Sequence, residues 1–142
     1  MPDSAPEGEI FEFSGGLPSF ELDERFRLSR RAGLDPLLFL DSEREGGPRF
    51  ICVPAAVVDA AYTVRLDEEA AAAVGLPPGE HAAAGAPFLV LSLLTFAEGS
   101  APTANLLAPV VLNLERRLGA QVIQYETNYA VAHPLRPSRE GA

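Results

Sequence analysis

Lysine is absent from this chain: all eleven of its basic residues are arginines. Without a lysine amine there is no Schiff-base chemistry, no lysine-anchored pyridoxal phosphate and no phosphate-loop lysine. Cysteine is nearly absent too. Cys52 stands alone, so no internal disulfide can form, which fits a reducing compartment. His81 and His133 are the only histidines, and neither has a partner at metal-ligand spacing. No metal or cofactor is expected. Positive charge is scarce: the formal net charge is −9, which argues against direct nucleic-acid binding. Long apolar runs are missing. The longest, Ala86–Phe96, is broken by Pro87, Ser92 and Thr95 and is too short to span a bilayer. The N-terminus is acidic and lacks a basic stretch followed by an apolar one, so no secretory signal and a cytoplasmic location are expected.

What is present points to one folded unit. Of 142 residues, 47% are hydrophobic and 22% charged, enough to bury a sizeable core. Charge is uneven. Residues 1–24 carry seven acids and no base, whereas residues 25–49 carry six arginines against four acids. Residues 1–8 are rich in Pro, Asp, Glu, Ser and Gly and read as a disordered tail; residues 136–142 read as a flexible one. The domain between them spans 9–135.

Hydrophobic alternation and punctuation supply the elements. Ile10–Phe13 and Phe26–Arg30 alternate as half-buried strands do. Leu37–Leu40 and Phe50–Val53 are continuous apolar strands around a charged, glycine-rich hairpin loop, Ser42–Pro48. Tyr62–Leu66 alternates again. Asp67–Val74 is the clearest helix: Asp67 caps it, acids fill its first turn, alanines follow, and Gly75 with Pro77-Pro78 ends it. Phe88–Phe96, Val110–Leu114 and Ala120–Glu126 complete the strands. Seven or eight short strands with one short helix predict a mainly β chain, a small antiparallel β-barrel-like single domain.

Catalytic signals are weak. Cys52 with His133 would make a nucleophile pair only if folding joined them, and a buried thiol in an apolar strand is the plainer reading. Gly15-Gly16 lacks a dinucleotide-binding pattern, and no Gly-x-Ser-x-Gly elbow exists. Arg25, Arg27, Arg30 and Arg31 form a basic patch, read as the charged face of an edge strand.

The densest chemistry lies in Thr103-Ala-Asn-Leu-Leu-Ala-Pro-Val-Val-Leu-Asn113. A buried amide without a partner costs roughly 1–3 kcal/mol, so Asn105 and Asn113 each need a hydrogen-bonding task. Turn closure by Asn105 and strand termination by Asn113 are the structural tasks; contact with a partner is the functional one. Leu106 reads more readily as core than as contact. Gln121 projects beside Asn113 as part of a polar rim. Pro109 suits the first residue of a strand.

That segment is very similar to the Thr-Ala-Asn-Leu-x-Ala-Pro-Ile-Val-Ile-Asn stretch of the flagellar assembly factor FliW family. Gly16-Leu-Pro-Ser-Phe-Glu21, Gly119-Ala-Gln-Val-Ile123 and Tyr129-Ala-Val-Ala-His-Pro-Leu135 resemble further family segments, in order, across about residues 10–135. Ser19 stands where the family has glycine, and Ala120 where it has lysine. The resemblance implies a β-barrel-like, non-enzymatic partner switch. Such proteins bind flagellin in the cytoplasm and bind the RNA-binding regulator CsrA, relieving its repression of flagellin translation. Thr103, Asn105, Leu106, Leu107, Asn113 and Gln121 are the candidate partner-binding residues. The alternative class is a small-ligand-binding barrel or an unrecognised hydrolase, which requires a deep apolar pocket with convergent polar groups.

Overall fold

The computed structural model describes residues 8–14, 16–17, 20–76, 88–96, 98–99, 101–124 and 129–135. The expected tails (apart from Gly8), the loop holding His81 and the last residues of the predicted strand Ala120–Glu126 lie outside them. Among the described residues, nine strands and two short helices follow one another: β1 Glu9–Phe13, β2 Arg25–Ser29, β3 Leu38–Ser42, β4 Arg49–Pro54, α1 Ala55–Val58, α2 Glu68–Ala73, β5 Phe88–Thr95, β6 Thr103–Ala104, β7 Val110–Asn113, β8 Leu118–Gln121 and β9 His133–Pro134.

Seven of the strands close on themselves. The order β4-β3-β2-β1-β8-β7-β5 is completed by pairing of β4 with β5, giving the barrel that the strand pattern predicted. Closure removes free edges from the ring. Every pairing is antiparallel except one: β1 and β8 run parallel, Glu12 opposite Leu118 and Phe13 opposite Gly119. Glu12 N donates to Arg117 O at 2.9 Å across that seam, and the Arg117 guanidinium is paired with the Glu9 carboxylate. β2 lies inside the ring between β1 and β3, so the arginine patch is not on an edge strand as expected. Its charges are matched locally: Arg27 bonds Glu43 and Gly8 O, and the Arg31 guanidinium lies 4.3 Å over the Phe39 ring.

Alternation explains the interior. Phe11, Phe13, Phe26, Leu28, Leu40, Cys52, Leu91, Val110 and Leu112 point inward and are almost fully buried. Burying one such large side chain contributes roughly 1.5–3 kcal/mol. Gly119 is small because this core leaves no room. A Cβ there would lie 2.5 Å from Phe13 Cζ and 2.8 Å from Leu112 Cδ2. Leu17 is buried in the same cluster, and Phe20 lies edge-on to Phe50, centroids 5.4 Å apart. Gly16, just before Leu17, must be glycine: φ is +71°, and a Cβ would meet Phe20 O at 2.5 Å.

A second cluster sits outside the barrel wall. Residues 55–76 strap across β5, β7 and β8, and Ala55, Tyr62, Val64 and Val74 pack there on Phe88, Val90, Val111 and Val122. Within the strap α2 has the expected ends: the Asp67 carboxylate accepts from Ala70 N at 2.8 Å, and Gly75 takes φ +81°. The predicted strand Tyr62–Leu66 is not a strand. Its side chains alternate in burial, yet its backbone pairs with side chains: Arg65 N donates to Gln124 Oε1 at 2.8 Å, Gln124 Nε2 donates to Arg65 O at 2.9 Å, and Thr63 N donates to the Tyr129 hydroxyl at 3.2 Å. α1, β6 and β9 have no counterpart in the expected elements.

The β3–β4 hairpin carries a polar lock. Asp23, 2% exposed, accepts from Ser42 Oγ at 2.6 Å and from Arg44 Nε and Nη2 at 2.8 and 3.0 Å. The Arg44 and Ser42 hydrogen bonds hold its carboxyl below the usual value of 3.8.

Two outcomes follow from this packing. Gly119→Ala overfills the barrel and lowers unfolding free energy by about 1–3 kcal/mol in a urea titration. The lowered Asp23 pKa makes its contribution complete above 3.8 and lost as pH falls through that value and below. Asp23→Asn is therefore less stable than the parent at pH 7, and the gap in denaturation midpoint shrinks below about pH 4.

Candidate interaction surface

The Thr103–Asn113 segment is used inward more than outward. Thr103 lies on β6, opposite Thr95 and Pro134. Asn105 is half-buried; its Oδ1 accepts from Ala108 N at 2.9 Å, closing a turn. Gln121 Nε2 donates to Ala108 O, also at 2.9 Å, so two side-chain amides clasp both backbone groups of one residue. Leu106 is 1% exposed and belongs to the outer cluster, while its carbonyl accepts from the Tyr62 hydroxyl at 2.6 Å. Leu107 is half-buried, and its carbonyl accepts from Gln124 N. Asn113 is 4% exposed: Nδ2 donates to Val74 O at 2.7 Å, and Oδ1 accepts from Glu115 N and Arg116 N. Of the six candidate residues, Thr103, Asn105, Leu107 and Gln121 are half-buried, whereas Leu106 and Asn113 are buried. The structural task accounts for every amide group of Asn113 that it bonds.

The thiol of Cys52 is closed off. It donates to Leu38 O at 3.5 Å, and burial pushes its pKa up to about 12, so it is not a thiolate at neutral pH. His133 is not its hydrogen-bond partner; it lies on β9, opposite Ala104 of β6. Burial likewise raises the Tyr62 pKa. Among the described residues, no three His, Cys, Asp or Glu side chains converge as a metal site. No helix among them is long and apolar enough to cross a membrane. Among the described residues, the large side chains of Phe11, Phe13, Phe26, Leu28, Leu40, Leu91 and Leu112 pack together inside the barrel.

The surface offers a groove that the sequence did not reveal. It lies between α2 and the end of β8, is open to solvent, has a volume of about 270 Å³, and is lined by Ser14, Gly16, Asp67, Glu69, Ala70, Ala73, Ala120, Gln121, Val122 and Ile123. The small alanines of α2 face β8 without filling the space. Among the described residues, two carboxylates and no cation line it, and Ala120 stands where the resembled motif has lysine. Ile123, 47% exposed, supplies an open apolar side chain. A second cleft, lined in part by Glu12, Glu24 and Arg25, shares Ser14 with the first. Its only signal in the sequence was the run of alanines behind three acids at Asp67–Ala73.

β9 borders the small sheet beyond β6. Leu135 N donates inward to Pro102 O at 3.0 Å, which turns the alternate position, Pro134, outward. Proline has no N–H, so that border offers no donor there to another strand.

Comparison with known proteins places this architecture. The family model described as "FliW protein" matches residues 4–135. The chain is 28% identical over 130 residues to the flagellar assembly factor FliW of Bacillus subtilis (strain 168), covering 91% of this chain and 87% of that protein. It is 31% identical over 134 residues to the flagellar assembly factor FliW of Geobacillus sp. (strain WCH70), covering 94% and 88%. A crystal structure of the flagellar assembly factor FliW superposes with a TM-score of 0.78 at 28% identity, covering 95% of this chain and 91% of that one.

Asn113→Ala leaves Val74 O buried without a donor and uncaps the turn after β7. The expected loss is about 1–3 kcal/mol of unfolding free energy, measured by urea denaturation.

Proposed function

The chain belongs to the FliW family, and from that premise we propose that it is a non-enzymatic flagellar assembly factor that binds flagellin and a CsrA-like RNA-binding regulator in the cytoplasm. The observation that carries this reading is the match along 4–135, in which the sequence motifs coincide with structural devices of the barrel. Gly16 sits where only glycine fits, Gly119 admits two core side chains, and Asn113 ties the strap to the wall.

The physics of antagonism is charge placement. A regulator that holds RNA must be electropositive where it does so. A domain with net charge −9, docked near that surface, repels RNA phosphates and lowers RNA affinity without filling the RNA site. Linkage makes the effect reciprocal: RNA weakens the protein complex by the same factor. Flagellin, by contrast, would present an amphipathic helix to an apolar surface. Leu106 and Asn113 are too buried to belong to that surface, so Thr103, Asn105, Leu107 and Gln121 are the members of the sequence-predicted set assigned to partner contact.

Titration with the flagellin and the CsrA-like protein of the same genome tests the reading. Native mass spectrometry or calorimetry is expected to show a complex of micromolar or tighter affinity with each. RNA displacement from the regulator is expected to rise with added protein. No complex with either overturns the proposal.

A further inference from the structure

We propose that the groove between α2 and the end of β8 is a docking channel for a basic, amphipathic protein segment, one that sets an arginine or lysine beside an aliphatic side chain. The assignment rests on the partner-switch reading and locates the surface that holds its electropositive partner, the RNA-binding regulator.

Shape comes first. The groove, at about 270 Å³, is smaller than the roughly 300–1,000 Å³ typical of small-molecule pockets, and it is open to solvent. It has room for one or two side chains of a segment laid across it. Ala70, Ala73 and Ala120 form methyl walls against which the methylene stem of an arginine or lysine can lie. Ile123 stands half-exposed at the rim, where an aliphatic neighbour would cover it.

Charge then selects the occupant. Asp67 and Glu69 are lining residues, and among the described residues no cation lines the groove. Asp67 spends one oxygen on the helix cap. Glu69 has no ion pair among the described residues. A guanidinium or ammonium entering along the alanine wall meets that carboxylate. A phosphate backbone meets repulsion, so the channel excludes nucleic acid while accepting the protein that carries it. Ser14 joins the channel to the neighbouring cleft, where Glu12, Glu24 and Arg25 line the wall.

Three exposed-site variants test the assignment by calorimetry against the same regulator and flagellin. Glu69→Arg and Ile123→Asp are each expected to weaken the regulator complex about tenfold or more, with flagellin affinity within threefold of the parent. Glu45→Arg, in the β3–β4 turn and outside the groove, makes the same change in net charge and is expected to shift regulator affinity less than threefold. Thermal unfolding monitors folding of all three, and Glu69→Arg alone carries the test if Ile123→Asp is unstable. A parent that binds the regulator while Glu69→Arg binds equally well overturns the channel and leaves the function standing. Equal losses for Glu45→Arg and Glu69→Arg, or a loss confined to flagellin, also overturn it. A parent that retains neither protein overturns the function and the channel together.

Discussion

β7 has no solvent face. All four of its residues are buried: Val110 and Leu112 inside the barrel, Val111 under the strap, Asn113 at its end. The strap over residues 55–76 is therefore part of the core. Lifting it would uncover Val111, Val90 and much of Phe88, each contributing roughly 1.5–3 kcal/mol of burial. Against a net stability of about 5–15 kcal/mol for a domain, losing that layer amounts to losing the fold. The same constraint governs the polar atoms. Groups shut away from water on both sides must find partners within the protein, and Asn113, Gln124 and Tyr62 supply them across the barrel wall to Val74, Arg65 and Leu106.

Legibility in the sequence tracked how local the determining physics is. β1 and β2 were readable because a wall strand with one wet face must alternate. α2 was readable because its cap, its alanines and its terminating glycine lie within nine residues. Tyr62–Leu66 misled because alternation reports which side chains are buried, and it is silent on where the backbone bonds go. α1, β6 and β9 span four, two and two residues, too short for any period to register. The asparagines were legible as amides in need of partners. Their partner atoms were not, since Val74 lies 39 positions from Asn113. The groove was hidden for a different reason: it is missing volume between two elements, and a sequence records residues, not the space between them.

The surplus of negative charge is localised by what the arginines do. Arg27, Arg44, Arg49 and Arg117 are engaged with Glu43, Asp23, Asp41 and Glu9. The exposed pairs among them, those of Arg27, Arg49 and Arg117, contribute little stability, about 0–1 kcal/mol each, but all four cancel charge where they sit. Among the described residues, the acids at the start of α2 have no such ion pair. At physiological salt their field decays over about 8 Å, so repulsion of a phosphate chain depends on close approach. Shape must bring the two proteins together before charge can act.

The parallel β1–β8 seam sets a condition on vectorial synthesis. β1 through β4 form a meander of neighbouring strands, each able to pair as soon as the next leaves the ribosome. β1 cannot meet its other neighbour until Leu118 and Gly119 have emerged, more than a hundred residues later. Closing so long a loop costs only slightly more entropy than closing a short one, but it postpones the event. Through most of translation the nascent chain carries one side of β1 unpaired and the apolar faces of Phe11 and Phe13 incompletely covered. The finished ring, which leaves no such border, is a state that only the almost complete polypeptide can reach.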